Sequence, residues 1–179
     1  MQVQDLQLIY DYNFWATARL LSAAGQLSAA QFAAPAAFPH GSLRGTLYHM
    51  LESEWAWRMV LQHGVPWDDL VMPETDFPTL ADIATRWRDE EREMRAYLAG
   101  LDDAALAGTI RYAVEDGKFR ERILWHCLLH VANHGTQHRA EAAAILTALG
   151  RSPGDVDFTL FLNERTAAGL PAARPLSGQ

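Results

Sequence analysis

One cysteine, Cys127, occurs in 179 residues, which excludes an internal disulfide and any zinc site built on clustered cysteines. No apolar run approaches the roughly 18 residues of a membrane span, so no membrane contact is expected. The opening segment MQVQDLQLIYDYN lacks the basic start and long apolar core of a signal peptide, and a cytoplasmic protein is expected. Positive charge is also scarce. Fifteen Lys and Arg against 22 Asp and Glu give a formal charge of -7 and a pI near 5.4. Nonspecific binding to a phosphate backbone needs a basic surface, so nucleic acid is excluded as an expected partner. Absent too are the paired Glu-x-x-His motifs of a di-iron carboxylate bundle, and no internal repeat or low-complexity domain is seen.

What is present is helical amphipathicity. A chain 49% hydrophobic at this length can bury one substantial core. Four long segments carry the helical period: residues 4 to 24, 42 to 63 with Ser42 as N-cap, about 79 to 100, and about 120 to 149. The expected fold is all-α: a four-helix bundle over residues 4 to 165 and a flexible C-terminal tail over 166 to 179. A short extra helix is expected at about 156 to 164, where Phe158, Phe161 and Leu162 can pack on the bundle. TIRYAV and KFRER flank Glu115-Asp116-Gly117, which reads as a small hairpin before the last helix. The run RDEEREMR on the third helix reads as a mostly solvated face laced with i,i+4 pairs. Asn13 falls on the inner face of the first helix, as an interhelix hydrogen bond or a polar group near a pocket.

The chemistry-bearing feature is a histidine ladder, His126, His130, His134 and His138, running into Arg139. A four-residue step advances a helix by roughly 40° net and about 6 Å, so adjacent rungs can point at one ion. Three rungs span about 12 Å, too far for metal to nitrogen distances of about 2.0 to 2.1 Å. Two rungs and a ligand from elsewhere are therefore the expected set. Counting 100° per residue from Glu121, His134 and His138 fall at about 220° and 260°, on the apolar stripe with Ile123, Cys127, Val131 and Ile145. His126 lies on a polar flank and His130 between the two faces. On the second long helix His49 lies opposite the cluster Arg44, Glu54, Arg58 and Gln62, beside small residues that leave room, whereas Glu52 and Glu54 point sideways or outward. His40 follows Pro39 in a loop and His63 precedes Gly64 at a helix end, so neither is held by a regular element. The expected metal ligands are His49, His134 and His138. Inward histidines also occur as hydrogen-bonded core residues, and spacing does not separate the two. Cys127, on the same stripe, reads as a small inert core residue rather than a reactive thiol.

The segment HVANHGTQHRAEAAAILTALG resembles the signature of the DinB/YfiT-like metalloenzyme superfamily. That signature couples a histidine on the second long helix to an HxxxH near the start of the last bundle helix, followed by Arg and a run ending in Leu-Gly. His49, His134, His138, Arg139 and Leu149-Gly150 stand at those positions, and YDYNFWATARLL is similar to the family's first helix. Many members have Gly-Gln after the Arg, where this chain has Ala140-Glu141.

Three neutral imidazoles leave a 2+ charge uncompensated, so a bound water becomes acidic or a thiol is deprotonated. Such donors suit one divalent transition metal, zinc or nickel first, with iron, copper or manganese as alternatives. The resemblance implies a thiol-dependent S-transferase with detoxifying chemistry, its partners a low-molecular-weight thiol and a small electrophile. A metal-dependent hydrolase is the alternative, with Glu141 or His130 as the nearby bases, neither well placed by helical phase. A non-enzymatic metal-binding stress-response or scaffold protein is the third reading. Trp55, Trp67 and Tyr48 mark surfaces that favour a homodimer.

Overall fold

The computed structural model describes residues 1–114 and 117–170. Three of its long helices begin where a side chain satisfies a backbone donor that the helix cannot. Ser42 Oγ accepts from Gly45 N at 2.9 Å and starts α3 (Leu43–His63). Thr79 and Asp82 form a reciprocal capping box at the start of α4 (Leu80–Ala99). Gln2 and Asp5 do the same for α1 (Val3–Ala24). A one-turn helix α2 (Ala29–Phe32) follows α1, and α5 (Asp103–Ala107) follows α4.

The last long helix, α6 (Leu124–Ala148), starts later than the periodicity from Arg120 implies. Residues Phe119–Ile123 form a strand, β2, paired antiparallel with β1 (Thr109–Ala113), with Tyr112 opposite Arg120 and Ile110 opposite Arg122. Ladder bonds to β1 outweigh helix propensity there, and Leu124 N finds Gly108 O at 2.9 Å, so the helix starts without a side-chain cap. Of the expected turn, Glu115 and Asp116 lie outside the described residues, while Gly117 has φ 66°. The terminal helix α7 (Phe158–Ala167) seats Phe161 against Tyr12 and Trp15 of α1. The expected tail lies outside the described residues from 171 onward.

Helices α1, α3, α4 and α6 form the bundle, with α3 and α1 each packed on both α6 and α4. The fold is all-α apart from the hairpin. Its core is two apolar layers. One holds Leu20, Met50, Leu51, Ile83, Trp87, Ile145 and Leu146. The other holds Leu6, Tyr10, Phe14, Met94, Leu98, Leu128 and Val131. Along every long helix the switch between layers falls in the middle, and the residues there are polar: Asn13 and Thr17, Glu54 and Arg58, Glu90, and His138 and Arg139, all buried.

This middle layer corrects two readings of helical phase. Glu54 and Arg58, opposite His49 on α3, are buried, as is Glu90 from the charged run of α4. Each helix in a bundle faces two neighbours, so the face opposite the metal stripe is also interior. Arg58 grips Glu90 with two bonds, Nε to Oε1 at 2.5 Å and Nη2 to Oε2 at 2.9 Å. Removing Glu90 would leave the buried Arg58 charge without a carboxylate, at a cost of about 3 to 5 kcal/mol, whereas Glu90 also has Arg86 Nη2 at 3.3 Å. Asn13 joins three helices, donating to Glu54 Oε2 at 3.0 Å and accepting from Arg139 Nη1. It is an interhelix hydrogen-bonding residue. A Cβ at Gly135 would sit 2.8 Å from the Arg139 guanidinium and 3.0 Å from Asn13 Oδ1, so glycine leaves the room for that bond.

Burial pushes the Glu54 carboxyl up to about 7 from 4.5, against the bond from Asn13. The folded protein therefore binds a proton at Glu54 that the unfolded chain has released, and stability from this group falls as pH rises from about 4.5 through about 7. Glu54→Gln is expected to gain stability over wild type across that window, read by urea unfolding at about pH 5 and about pH 8. An equal difference at both pH values would remove the proton from the account.

Candidate metal centre

The centre lies where the second turn of α3 faces the middle of α6. One helical turn on α6 brings His138 Nε2 to 3.1 Å from His134 Nε2, and α3 brings His49 Nε2 to 3.3 Å from the same atom. Two imidazole nitrogens sharing one tetrahedral ion lie about 3.3 Å apart, twice the projection of a bond of about 2.0 to 2.1 Å. Each of these two spacings fits a pair of nitrogens on one transition metal. His138 is buried at 5% exposure, and His49 and His134 are half-buried.

A fourth ring joins them. His40 stacks on His49 with centroids 3.8 Å apart and planes at 17°, and its centroid is 5.0 Å from that of His138. His40, His49 and His138 offer ligand atoms all within 4.8 Å of one another, a three-histidine group able to hold a metal. Sequence reasoning set His40 aside as a loop residue, but this loop is tied down. Ala36 N donates to Gly41 O at 2.8 Å, Ser42 N to His40 O at 2.9 Å, and Gly41 takes φ 71°. The His40 carbonyl lies where a Cβ of residue 45 would be, 2.1 Å away, so the loop reaches α3 only because residue 45 is glycine. Pro39-His40-Gly41 directly before an N-cap serine was the available signal.

His138 is oriented from behind. Its Nδ1 is 2.8 Å from Glu141 Oε2, which leaves Nε2 as the lone-pair nitrogen turned toward His134. Glu141 thus has a structural partner and is not a spare base. His49 Nδ1 lies 4.0 Å from Glu52 Oε2, a looser version of the same pairing. Burial first, then the neighbouring histidines, push His49 and His134 down to about 4, so both are neutral at pH 7 and their lone pairs are available. Burial and His138 also lower His40.

The sequence model of the DinB family matches residues 1–169. The chain belongs to the DinB family. No curated protein matches it. In this family member the other histidines stand apart. His130 is one turn before His134, its ring 5.9 Å away, and packs at 5.3 Å on Trp57. His126 packs on Trp125, and His63 is exposed at the end of α3. Cys127 is buried, which raises its thiol pKa, as expected of an inert thiol. No helix among the described residues is long and apolar enough to cross a membrane.

In the metal-free protein the unfolded chain takes up protons on His49 and His134 near pH 6.5, whereas the folded chain resists until about 4. Stability is therefore lost as pH falls through that window. Chelator-treated wild type is expected to lose stability over this range faster than His134→Ala, and the imidazole proton resonances of His49 and His134 should titrate near pH 4. Resonances that titrate near pH 6.5 would mean the rings are open to water.

Proposed function

We propose that this DinB family protein is a metal-dependent S-transferase in which His49, His134 and His138 hold one divalent transition metal, zinc or nickel first. The convergence of both partners on His134 Nε2, at 3.1 and 3.3 Å, carries this reading. His40 is assigned as the ring that stacks over His49, because in-plane lone pairs of near-parallel rings do not converge on one point. When bound, the metal supplies the positive charge that favours the thiolate form of a low-molecular-weight thiol. The chain's own residues set the conditions for transfer. The low-pKa histidines stay neutral, Glu141 fixes the tautomer of His138, and His130, one turn before His134, is the imidazole assigned to take the thiol proton. The sulfur electron pair then forms the bond to the electrophile while the leaving group departs with its own pair.

The hydrolase alternative keeps His130 alone as its base, since Glu141 is engaged with His138 and provides no free carboxylate to activate water. A purely structural metal would need no cleft, yet His130 lines one of about 350 Å³. A cytoplasmic homodimer belongs to the same proposal. It rests on Trp55, because Tyr48 donates to Met72 O and Trp67 packs on Trp57 within the chain.

Elemental analysis of untagged protein is expected to find about one metal per chain, with strong loss in His49→Ala, His134→Ala and His138→Ala and none in His63→Ala. Full metal in His134→Ala with loss in His40→Ala would move the third ligand to His40. Glu141→Ala should weaken metal affinity by about 10- to 100-fold, whereas Glu141→Gln, which can still accept from His138 Nδ1, should weaken it less. Thiol consumption with an electrophile panel should vanish on chelation and return with metal. Metal-loaded protein that consumes no thiol would overturn the transferase reading.

A further inference from the structure

The β hairpin and the first turns of α6 build a second chemical environment beside the metal centre. In a strand successive side chains point to opposite faces, so Lys118, Arg120 and Arg122 share one face of the second strand. The register sets Tyr112 opposite Arg120, and Val114 continues the same face of the first strand. That face is turned to α3, where Trp57 waits. Arg111 and Phe119 leave by the other face, their side chains stacked 4.2 Å apart.

The space between is a cleft. One lobe, about 380 Å³, is lined by Trp57, Trp67, Tyr112, Lys118, Arg120 and Arg122. The other, about 350 Å³, shares Trp57, Tyr112 and Arg122 and extends to His126, Cys127 and His130. Each lobe is of a size that takes a small organic ligand. Trp57 is fixed by edge-to-face contacts with Trp67 at 5.3 Å, Tyr112 at 5.6 Å and His130 at 5.3 Å, so the aromatic wall is formed in advance. Among the described residues neither Arg120 nor Arg122 is in an ion pair; Arg122 Nη1 only donates to Glu121 O at 2.8 Å. Cations grouped on one wall are unexpected in a chain of formal charge -7, and the surrounding negative charge confines anion attraction to this wall.

We propose that this cleft binds a flat aromatic carboxylate, its ring against Trp57 and Tyr112 and its carboxylate on Arg120 and Arg122. Guanidinium groups match a carboxylate with paired N–H donors, and indole and phenol rings accept a flat face or edge. The histidine ladder then has two uses. Its later rungs belong to the candidate metal centre, and its earlier rungs, His126 and His130, line the cleft, with His130 one turn before His134. Naming this ligand as the electrophile of the transfer rests on the transferase reading; its binding does not.

Isothermal titration of the full chain with 2-naphthoate and with its neutral amide, 2-naphthamide, tests the assignment. Naphthoate is expected to bind one site at least about tenfold more tightly than the amide. That preference should disappear in Arg120→Gln/Arg122→Gln, with thermal melting as the control for folding, and persist in His134→Ala. Equal affinity for acid and amide in wild type, or an unchanged preference in a folded double variant, would overturn the proposal. Naphthoate binding in a metal-loaded protein that transfers no thiol supports the cleft and overturns the transferase reading alone.

Discussion

A buried polar layer across the middle of the bundle is the constraint on which the rest of the structure depends. Two apolar layers would pack well without it, and its members are costly to desolvate. Most of them are therefore tied to another helix. Asn13 links Glu54 and Arg139, and Arg58 is clasped to Glu90. These ties fix the axial register of α1, α3, α4 and α6, because sliding any helix by one turn would separate a buried charge from its partner. The candidate metal centre sits beside this layer. His49 and His138 face each other only while the polar layer holds α3 and α6 in that register.

The layer also explains the electrostatics of the histidines. Half-buried rings crowded against each other disfavour protonation, which is why His49 and His134 stay neutral far below the ordinary imidazole range. Clustered neutral imidazoles form a donor set already prepared for a cation. Glu141 supplies a single negative charge at the back of His138, where it orients the ring without occupying the side turned to His134. At this position the chain departs from the Gly-Gln of many relatives, and the carboxylate can do the orienting there. The cleft under the hairpin is different in kind, lined by aromatic and basic side chains and by none of the four clustered histidines.

Much of this was legible from local pattern. The cap at Ser42, the four long helices and the alternating hairpin strands are short-range signals, and the structure realises them. Phase on α6 located His134 and His138 on the side facing α3. The misses share a cause. Glu54, Arg58 and Glu90 look solvated by phase because a helical wheel assumes one buried face, whereas a bundle helix has two. His40 was passed over because its position depends on a loop carbonyl meeting Gly45, a contact between chain segments that no periodicity records. The late start of α6 was missed because pairing with the first strand, across the turn, competes with helix formation over Phe119–Ile123.

By itself the sequence determined the fold class and the family and pointed to histidines on two helices as candidate ligands, since these follow from helical spacing and a contiguous motif. Tertiary structure alone decided which nitrogens come within about 3 Å of one another, that His40 joins them, and that Glu141 backs His138 rather than facing a substrate. It also decided that arginines from a strand and a tryptophan from a distant helix enclose one cleft. The physical reason is range. Helical and strand periods act over a few residues, while a site is made by side chains whose approach is set by packing between helices.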